Sequence, residues 1–300
     1  MSTVRPEGDI DEDRIQDQRP SGPTVLRMVV GGELRRLREA CDISRGEAGY
    51  HIRASDTKIS RMELGRTGFK IRDVADLLTL YGVTGTAERD TLLTLAEEAN
   101  HPGWWSAYGD AVPSWFEPYL GLEQAASVIR SWEVQFVPGL LQTEAYARAV
   151  AGLARGLSEE DVERRVALRM RRQEILTRPR PVKLWAVLDE GALRRPVGGR
   201  AVMRAQIAHL IDMAALPNVT LQLMPFSRGG HAAAGGPITI LRMAEDLLPD
   251  VVYLEQLHSA IYPDKPADID LYWDVMNRLS VEAEPVDVTL GSLRSILDET

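Results

Sequence analysis

Cysteine is almost absent from the sequence, since Cys41 is the only one among 300 residues. A single cysteine excludes an internal disulfide and a thiolate-rich zinc site. Cys41 lies at the end of the first predicted helix, where we expect a small buried residue rather than a redox sensor. The five histidines are scattered, and none has the spacing of metal ligands. We therefore expect no metal and no other cofactor.

Long hydrophobic runs are also missing. No apolar run approaches 18 residues, and the N-terminus lacks the basic-then-apolar pattern of a secretion signal. The sequence thus predicts neither a membrane span nor a signal peptide, and we expect the protein in the cytoplasm. A hydrophobic fraction of 44% and a charged fraction of 26% are ordinary for globular proteins, and 300 residues are enough for about two domains.

The sequence also lacks the common catalytic motifs. The sequence has no H-E-x-x-H, no G-x-S-x-G, no P-loop and no G-x-G-x-x-G. Asp189 and Glu190 follow a predicted strand, but two acids at the start of the short helix GALRR are better explained as helix caps. The glycine-rich loop 227–237 is flexible enough to cover a pocket or cradle an anion, although a hairpin-like connection between two strands explains it better. We therefore expect a protein that is not an enzyme.

The most informative stretch runs from Ser44 to Gly65, SRGEAGYHIRASDTKISRMELG, and has the pattern of two short helices joined by a tight turn. Ser44 and Glu47 fit a capping box, and Ser55 is a second N-cap. Gly49 has no side chain and would let a second helix cross the first closely. This arrangement is typical of a helix-turn-helix that reads double-stranded DNA.

The second of these helices should bury Ile59 and Met62, which recur with helical spacing. The side chains that would face outward are Asp56, Thr57, Lys58, Ser60 and Arg61. Short hydrogen-bonding groups and a basic pair at the front of an exposed helix suit base edges and phosphates. The residues expected near phosphates are Arg45, Ser55, Arg66 and Lys70. The alternative is a surface helix with a solvated charged face, and the pattern favours DNA readout.

Charge is distributed unevenly along the chain. Residues 1–23 have three basic and six acidic residues, giving −3, whereas residues 24–72 have eleven basic and six acidic ones, giving +5. The remaining residues give −11, and the whole chain has a net charge of −9. Positive charge is thus concentrated on the segment that should meet phosphates, and DNA binding should depend strongly on salt.

The same segment resembles the XRE family of repressor-like regulators, whose five-helix domain would extend here from about Leu26 to Ala99. LRRLREACDIS (residues 34–44) is similar to that family's first helix, and KISRMELG (residues 58–65) to its recognition helix and the residues after it. VADLLTLYGVT (residues 74–84) is similar to its fourth helix. The resemblance implies a buried ion pair between Arg38 and Glu63 that joins two helices.

Two residues depart from the family pattern. Arg45 stands where the usual residue is Gln, and it would still contact a phosphate with a full charge. Arg53 stands at the usual turn glycine, and a non-glycine residue in a left-handed turn costs about 1 kcal/mol. We therefore expect the turn to be shaped differently here.

Composition divides the chain into three parts. Residues 1–25 are polar, acidic and proline-bearing with little to bury, and they are predicted to form a disordered acidic tail. Residues 26–100 form the predicted DNA-binding domain, which the sequence His101-Pro102-Gly103 ends. Residues 101–300 form the predicted C-terminal regulatory and dimerisation domain, which contains all six tryptophans and therefore has its own aromatic-rich core.

The C-terminal part is predicted to combine helices with a mixed sheet, which makes the chain mainly α with an α/β second part. A capping box at Ser114 and Glu117 introduces residues 119–136, which suit a buried helix. Four later segments are strand-like, namely 182–188, 219–226, 238–243 and 251–257. A helix over 201–216 favours a parallel crossover between the first two, and the later short connections favour antiparallel pairing.

A basic cluster lies on a long predicted helix over 158–177. Its members are Arg164, Arg165, Arg169, Arg171 and Arg172. Such a cluster suits DNA or an anionic ligand, but the neighbouring acids Glu159, Glu160 and Glu163 make local ion pairs the favoured interpretation.

Segments of the C-terminal part, among them WWSAYGDAVPSWFEPYLGLE and LPNVTLQLMPF, resemble an actinobacterial group of antitoxin-like or developmental regulators. Members of that group have an XRE-type domain followed by a large C-terminal domain of undefined role. We therefore expect a sequence-specific transcriptional regulator that acts as a homodimer and whose C-terminal domain senses an effector or a partner. The alternative is an antitoxin-like interaction module that binds a small companion protein and uses DNA to autoregulate its own operon.

Overall fold

The computed structural model describes residues 22–233, 235–243 and 248–300. These residues form two compact units, one ending at Gly103 and the other beginning at Trp104. Most of the predicted tail, residues 1–21, lies outside the described residues, while residues 23–25 belong to the first turn of a helix. Among the described helices, none is long and apolar enough to cross a membrane.

The first unit is a bundle of short helices. They are α1 (Pro23–Ala40), α2 (Arg45–His51), α3 (Asp56–Glu63), α4 (Ile71–Leu80) and α5 (Thr86–Glu98). The predicted caps are confirmed, since Ser44 and Glu47 form a complete capping box before α2 and Ser55 caps α3. The helices share a hydrophobic core that includes Leu34, Ile59, Met62, Val74 and Leu78.

Two glycines allow these helices to approach closely. A Cβ atom on Gly49 of α2 would lie 2.7 Å from the carbonyl oxygen of Ala54, in the turn before α3. The close approach predicted at this glycine is therefore confirmed. Gly31 of α1 makes a second one that the sequence did not reveal, because a Cβ atom there would overlap the backbone of Met62 and Glu63. A larger residue at either position would push its helix away from α3.

A buried ion pair joins α1 to α3. The Nε and Nη2 atoms of Arg38 donate to the two carboxylate oxygens of Glu63 at 2.5 and 3.0 Å, and Nη1 donates to the carbonyl oxygen of Ile43 at 2.8 Å. Both side chains are buried, and the hydrogen bonds with Glu63 raise the pKa of Arg38. The pair implied by the family resemblance is therefore present, with the two-pronged geometry that suits arginine and a carboxylate.

Cys41 does not lie in the core. It follows the last residue of α1 as an exposed residue, with Sγ 3.3 Å from the carbonyl oxygen of Tyr81. The predicted burial was wrong, because α1 ends at Ala40 and the chain turns sharply there, with Asp42 in the left-handed region at φ 55°.

The second unit combines helices with a sheet, as predicted. Its helices are α6 (Glu117–Ala125), α7 (Glu144–Ala151), α8 (Glu159–Gln173), α9 (Glu190–Arg194), α10 (Arg200–Met213), α11 (Pro266–Glu282) and α12 (Val286–Glu299). Its strands are β1 (Ala126–Glu133), β2 (Lys183–Asp189), β3 (Val219–Met224), β4 (Ile238–Met243), β5 (Val251–Glu255) and β6 (Ala260–Ile261). A 3₁₀ segment, Trp104–Ala111, precedes α6.

The sheet is mixed and has the strand order β3-β2-β1-β4-β5-β6. Strands β1, β2 and β3 are parallel to one another, whereas β4 runs antiparallel to β1, and β5 and β6 continue the antiparallel part. The parallel crossover from β2 through α10 to β3 was predicted, and so was the antiparallel end of the sheet. Helix α11 covers one face, where Trp132, Val187, Ile240 and Met276 share a core.

Two predictions for the second unit were wrong. The segment 119–136 is not one helix, because α6 ends at Ala125 and the central strand β1 follows it; the N-cap of α6 is Phe116 rather than Ser114. An apolar run of this kind fits a buried strand and a buried helix equally well, and pairing with β2 and β4 decides the outcome.

Loop 227–237 is not a hairpin connection, since β1 and β2 separate β3 from β4 in the sheet.

Of the two acids at the end of β2, Asp189 caps a helix as the sequence predicted, whereas Glu190 is the first residue of that helix. The Asp189 side chain accepts the N–H of Gly191 at 2.7 Å and starts α9. Glu190 accepts the N–H of Phe226 at 2.8 Å and pairs with Arg194 at 2.9 Å. Both carboxylates are therefore occupied by structural hydrogen bonds.

The basic cluster on α8 is largely structural. Arg164 binds Glu160, as predicted, and also Asp161, while Arg171 binds Glu174. The predicted partner Glu163 pairs instead with Arg148 on α7. Arg172 instead makes a buried pair with Glu123 on α6, with its Nε and Nη2 atoms donating at 2.8 and 2.7 Å. This pair ties α8 to α6.

Glu133 ends β1 in surroundings that disfavour its charge. Although the residue is only half-buried by surface area, protein surrounds its carboxyl group, and this desolvation raises the pKa to about 8. Repulsion from Glu255 adds to the shift, and Arg172 opposes it. An unperturbed glutamate titrates at about 4.3, so folded Glu133 keeps its proton at pH values where the unfolded chain has lost it.

We expect Glu63→Ala to destabilise the first unit by about 3 to 5 kcal/mol, because it leaves the buried Arg38 charge without its carboxylate. Thermal and urea unfolding of the full-length protein, followed by circular dichroism, measures the loss. The matched control is Glu39→Ala, which removes an exposed carboxylate 3.4 Å from the same guanidinium and should cost about 0.5 kcal/mol or less. Equal effects of the two variants would contradict the role assigned to the buried pair.

The Glu133 carboxyl should make stability fall as pH rises from about 4.3 to about 8, since only the folded state holds the proton in that window. Glu133→Gln removes this loss. Melting temperatures measured at several pH values should therefore favour the variant over the wild type increasingly from weakly acidic to alkaline pH. The exposed residue Glu159 provides a control, and Glu159→Gln should follow the wild-type profile. Parallel profiles for wild type and Glu133→Gln would contradict the prediction.

Candidate nucleic-acid interface

The turn between α2 and α3 is short and closed by hydrogen bonds. The N–H of Ala54 donates to the carbonyl oxygen of Gly49 at 2.7 Å. Ser55 then starts α3 by accepting the N–H of Lys58 on its hydroxyl at 3.2 Å. Because Ile59 and Met62 lie in the core, the opposite side of α3 faces outward.

Arg53 lies in this turn in the left-handed region, at φ 56°. We expected the missing glycine to change the shape of the turn, and that expectation was wrong, because the left-handed conformation is kept with an arginine in it. The cost is about 1 kcal/mol, and the capped helix and core on either side outweigh it. The Arg53 side chain is exposed.

The side chains predicted to face outward from α3 differ in exposure. Asp56, Thr57 and Arg61 are exposed, whereas Lys58 and Ser60 are half-buried. The Thr57 hydroxyl donates to Asp56 Oδ1 at 3.2 Å. The Arg61 guanidinium forms no ion pair with any acid among the described residues. It is therefore an exposed cation on α3 whose charge is not compensated within the described part of the unit.

Lys58 is held by an acid that the sequence analysis missed. Its Nζ lies 2.5 Å from Oδ2 of Asp73 on α4, and the side chains are 35% and 5% exposed. The local pattern gave no signal, because the partners are 15 positions apart and Asp73 has the appearance of an ordinary acid in the first turn of α4. The pair ties α3 to α4 and compensates the lysine charge.

The predicted phosphate-binding residues lie around α3. Arg45, at the start of α2, donates from Nη1 to the Ser60 hydroxyl at 3.1 Å, so the structure brings it directly onto α3. Arg66 and Lys70 are exposed on the segment between α3 and α4, where Lys70 is the N-cap of α4. Ser55 is exposed as well, although its hydroxyl is engaged as the cap of α3.

Tyr50 is a further exposed residue that the sequence analysis missed. It lies on α2 and is 88% exposed. The available signal was its position, because the inward stripe formed by Ala48, Gly49 and Ile52 leaves it on the outer side of the helix. A phenol hydroxyl beside the turn offers a hydrogen bond to a phosphate.

The chemistry of this surface is that of binding. It presents guanidinium groups, hydroxyls and a carboxylate to solvent, which are the groups that bind phosphates and base edges. Across the described ranges of the chain, no group of His, Cys, Asp and Glu side chains is arranged to hold a metal ion.

The two units match different protein families. Residues 29–92, which include α2 and α3, match a helix-turn-helix domain. Residues 116–295, more than half of the chain, match a domain of unknown function, DUF5753. No curated protein and no solved structure matches the chain. The first match indicates a DNA-binding regulator, and the second shows that the chain belongs to the DUF5753 family, here with a helix-turn-helix domain before the family domain.

Proposed function

We propose that the protein is a sequence-specific transcriptional regulator of the XRE type that binds double-stranded DNA with α3 in the major groove. The observation that supports this most is the geometry of α3. Its apolar side is buried in the core and its other side presents Arg61, Asp56 and Thr57 to solvent. A helix held in this way after a tight turn has the shape and the groups that major-groove readout needs.

The roles proposed for the side chains follow from their contacts. Arg61 is exposed and uncompensated, so we assign it a base edge. Lys58 is already bound to Asp73, and we assign it a phosphate contact together with its structural role. Asp56 and Thr57 stand at the front of α3 and would read neighbouring base edges. The phosphate contacts are assigned to Arg45, Ser55, Arg66 and Lys70.

We propose that the regulator acts as a homodimer joined through the second unit, which also senses an effector or a partner. Several apolar side chains of this unit are exposed, namely Leu257, Ile261, Leu271 and Val281. Leu257 and Ile261 belong to the connection between β5 and β6 and to β6 itself, at one edge of the sheet. An exposed sheet edge is a template for pairing with another chain.

The same exposed apolar groups also fit the alternative, in which an antitoxin-like module binds a small companion protein. Both functions place the protein in the cytoplasm with its DNA, and neither requires a catalytic step or a cofactor. They differ in what covers the second unit. Purification from the native host separates them, because a companion in stoichiometric amount favours the alternative and an isolated dimer favours the regulator.

We expect Arg61→Ala to weaken binding to the operator by about 1 to 3 kcal/mol and binding to random DNA much less. Its melting temperature should stay unchanged, because the guanidinium compensates no buried group. An operator selected from a random duplex pool, followed by fluorescence anisotropy titrations, provides the measurement. Lys58→Ala should lower the melting temperature as well, because it leaves the buried Asp73 carboxylate without its cation.

Arg35→Ala is the control for the loss of one positive charge, since Arg35 lies on α1 and pairs with Glu39. It should change both affinities little. If Arg61→Ala weakened operator and random DNA equally, Arg61 would be a phosphate contact and the proposed base readout would be wrong.

The dimer proposal predicts different behaviour for the full chain and for a shortened chain ending at Gly103. The full chain should sediment as a dimer that prefers palindromic sites, because two recognition helices related by a two-fold axis read half-sites about 34 to 36 Å apart. The shortened chain has its own hydrophobic core and should be a folded monomer that binds DNA weakly. A monomeric full chain, or a shortened chain that dimerises and binds equally well, would refute the role given to the second unit.

A further inference from the structure

The second unit contains a cavity of about 170 Å³, partly open to solvent, between α6, the end of α8 and the residues that follow α8. Its apolar wall consists of Leu120, Ile175 and the ring of Trp104. Trp104 is held in place by edge-to-face contacts with Trp105 and Tyr108, each with ring centroids 6.0 Å apart. An engineered cavity of about 150 Å³ with apolar walls binds benzene, so a ligand with one small ring fits this space.

The acids that line the cavity already have partners. Glu123 is buried and receives two hydrogen bonds from Arg172, at 2.8 and 2.7 Å. Glu174 lies at the exposed rim and pairs with Arg171 at 2.7 Å. Neither pair contributes a net charge to the cavity, and a cationic ligand would have to displace an arginine from one of them.

Arg178 is the remaining charged group of the lining, and it has no carboxylate partner in the described part of the chain. Its guanidinium donates only to backbone carbonyl oxygens, those of Arg180 and Gln124 at 2.8 Å and that of Ala126 at 3.5 Å. A guanidinium has five N–H groups, so two remain after these bonds. Partial burial, with a smaller contribution from Arg180, lowers the pKa of Arg178, which indicates that the positive charge is held at a cost.

We propose that this cavity binds a small organic carboxylate, with the carboxylate on Arg178 and the hydrocarbon part against Trp104, Leu120 and Ile175. One uncompensated positive charge matches a single carboxylate better than a phosphate dianion. The apolar wall selects a ligand with a hydrophobic body over a small inorganic anion, in the usual manner of ligand pockets with a few converging polar groups. This inference concerns binding alone and does not depend on the proposed function in DNA recognition.

The test uses full-length protein and three probes. Benzoate has the proposed charge and ring, benzamide is its neutral counterpart of nearly the same shape, and inorganic phosphate has the charge without the ring. Isothermal titration calorimetry should show benzoate binding at millimolar concentration or below, at least about tenfold more tightly than benzamide and phosphate. No benzoate binding, or benzamide binding as tightly, would overturn the proposal without any variant being needed.

Variants locate the site. Arg178→Gln should weaken benzoate binding about tenfold or more, whereas Arg180→Gln, which removes a neighbouring charge that does not line the cavity, should keep it nearly unchanged. Equal losses in the two variants would mean that diffuse positive charge attracts the anion, and the cavity assignment would be wrong. Melting curves identify any loss caused by unfolding.

The tryptophan at the wall provides a second readout. Benzoate should change the tryptophan fluorescence of the wild type, and Trp104→Phe should remove that change while calorimetry still detects binding. Benzoate that binds without changing the tryptophan fluorescence of the wild type would lie away from Trp104, and this outcome would refute the site.

Discussion

The buried pair between Arg38 and Glu63 fixes the position of α3. Both charges are removed from water, and this costs energy unless the geometry is good; here two hydrogen bonds join them and a third binds Arg38 to Ile43. The close crossing at Gly31 places the backbone of α1 against the end of α3, so a shift of either helix would break the pair. Helix α3 is thus held from its inner side, which leaves an exposed residue such as Arg61 open to variation without loss of the fold.

Charges in this chain fall into two groups, and the difference bears on function. Lys58, Arg172 and Arg164 have carboxylate partners that fix one element to another or stabilise a helix. Arg61 and Arg178 have no carboxylate partner in the described ranges. An arginine with a local partner contributes mainly to structure, because an anionic ligand would have to compete with that partner. The two proposals therefore depend on the arginines whose charges the described residues leave uncompensated.

Sequence patterns predicted the elements whose signals are local. Ser44, Glu47 and Ser55 defined the starts of α2 and α3, because a cap acts on backbone groups two or three positions away. Strand β1 was missed, because its apolar run becomes a strand rather than a helix only through pairing with β2 and β4. The positions of β3 and β4 in the sheet were missed because strand order has no local signal. The partner of Lys58 was missed for the same reason: Asp73 meets it through tertiary packing of α4 on α3. Arg53 is the opposite case. Its local steric preference disfavours a positive φ, but the surrounding fold holds it in the left-handed region.

The uneven distribution of charge restricts how the chain can approach DNA. Residues 24–72 have a net charge of +5, while residues 73–300 have −11, so the net charge of the chain outside the basic segment repels phosphates. This charge distribution should increase the affinity for DNA little, because the total charge opposes association at long range. Its larger effect should be on the orientation in which the protein meets DNA, since an encounter through any surface other than the basic one is disfavoured before contact. Salt screens charges that lie farther apart than the Debye length, about 8 Å at physiological ionic strength, so higher salt should weaken both the attraction at the basic segment and the repulsion that disfavours other encounters. Under the proposed function, the short-range contacts of Arg61 and its neighbours then determine which sequence is held.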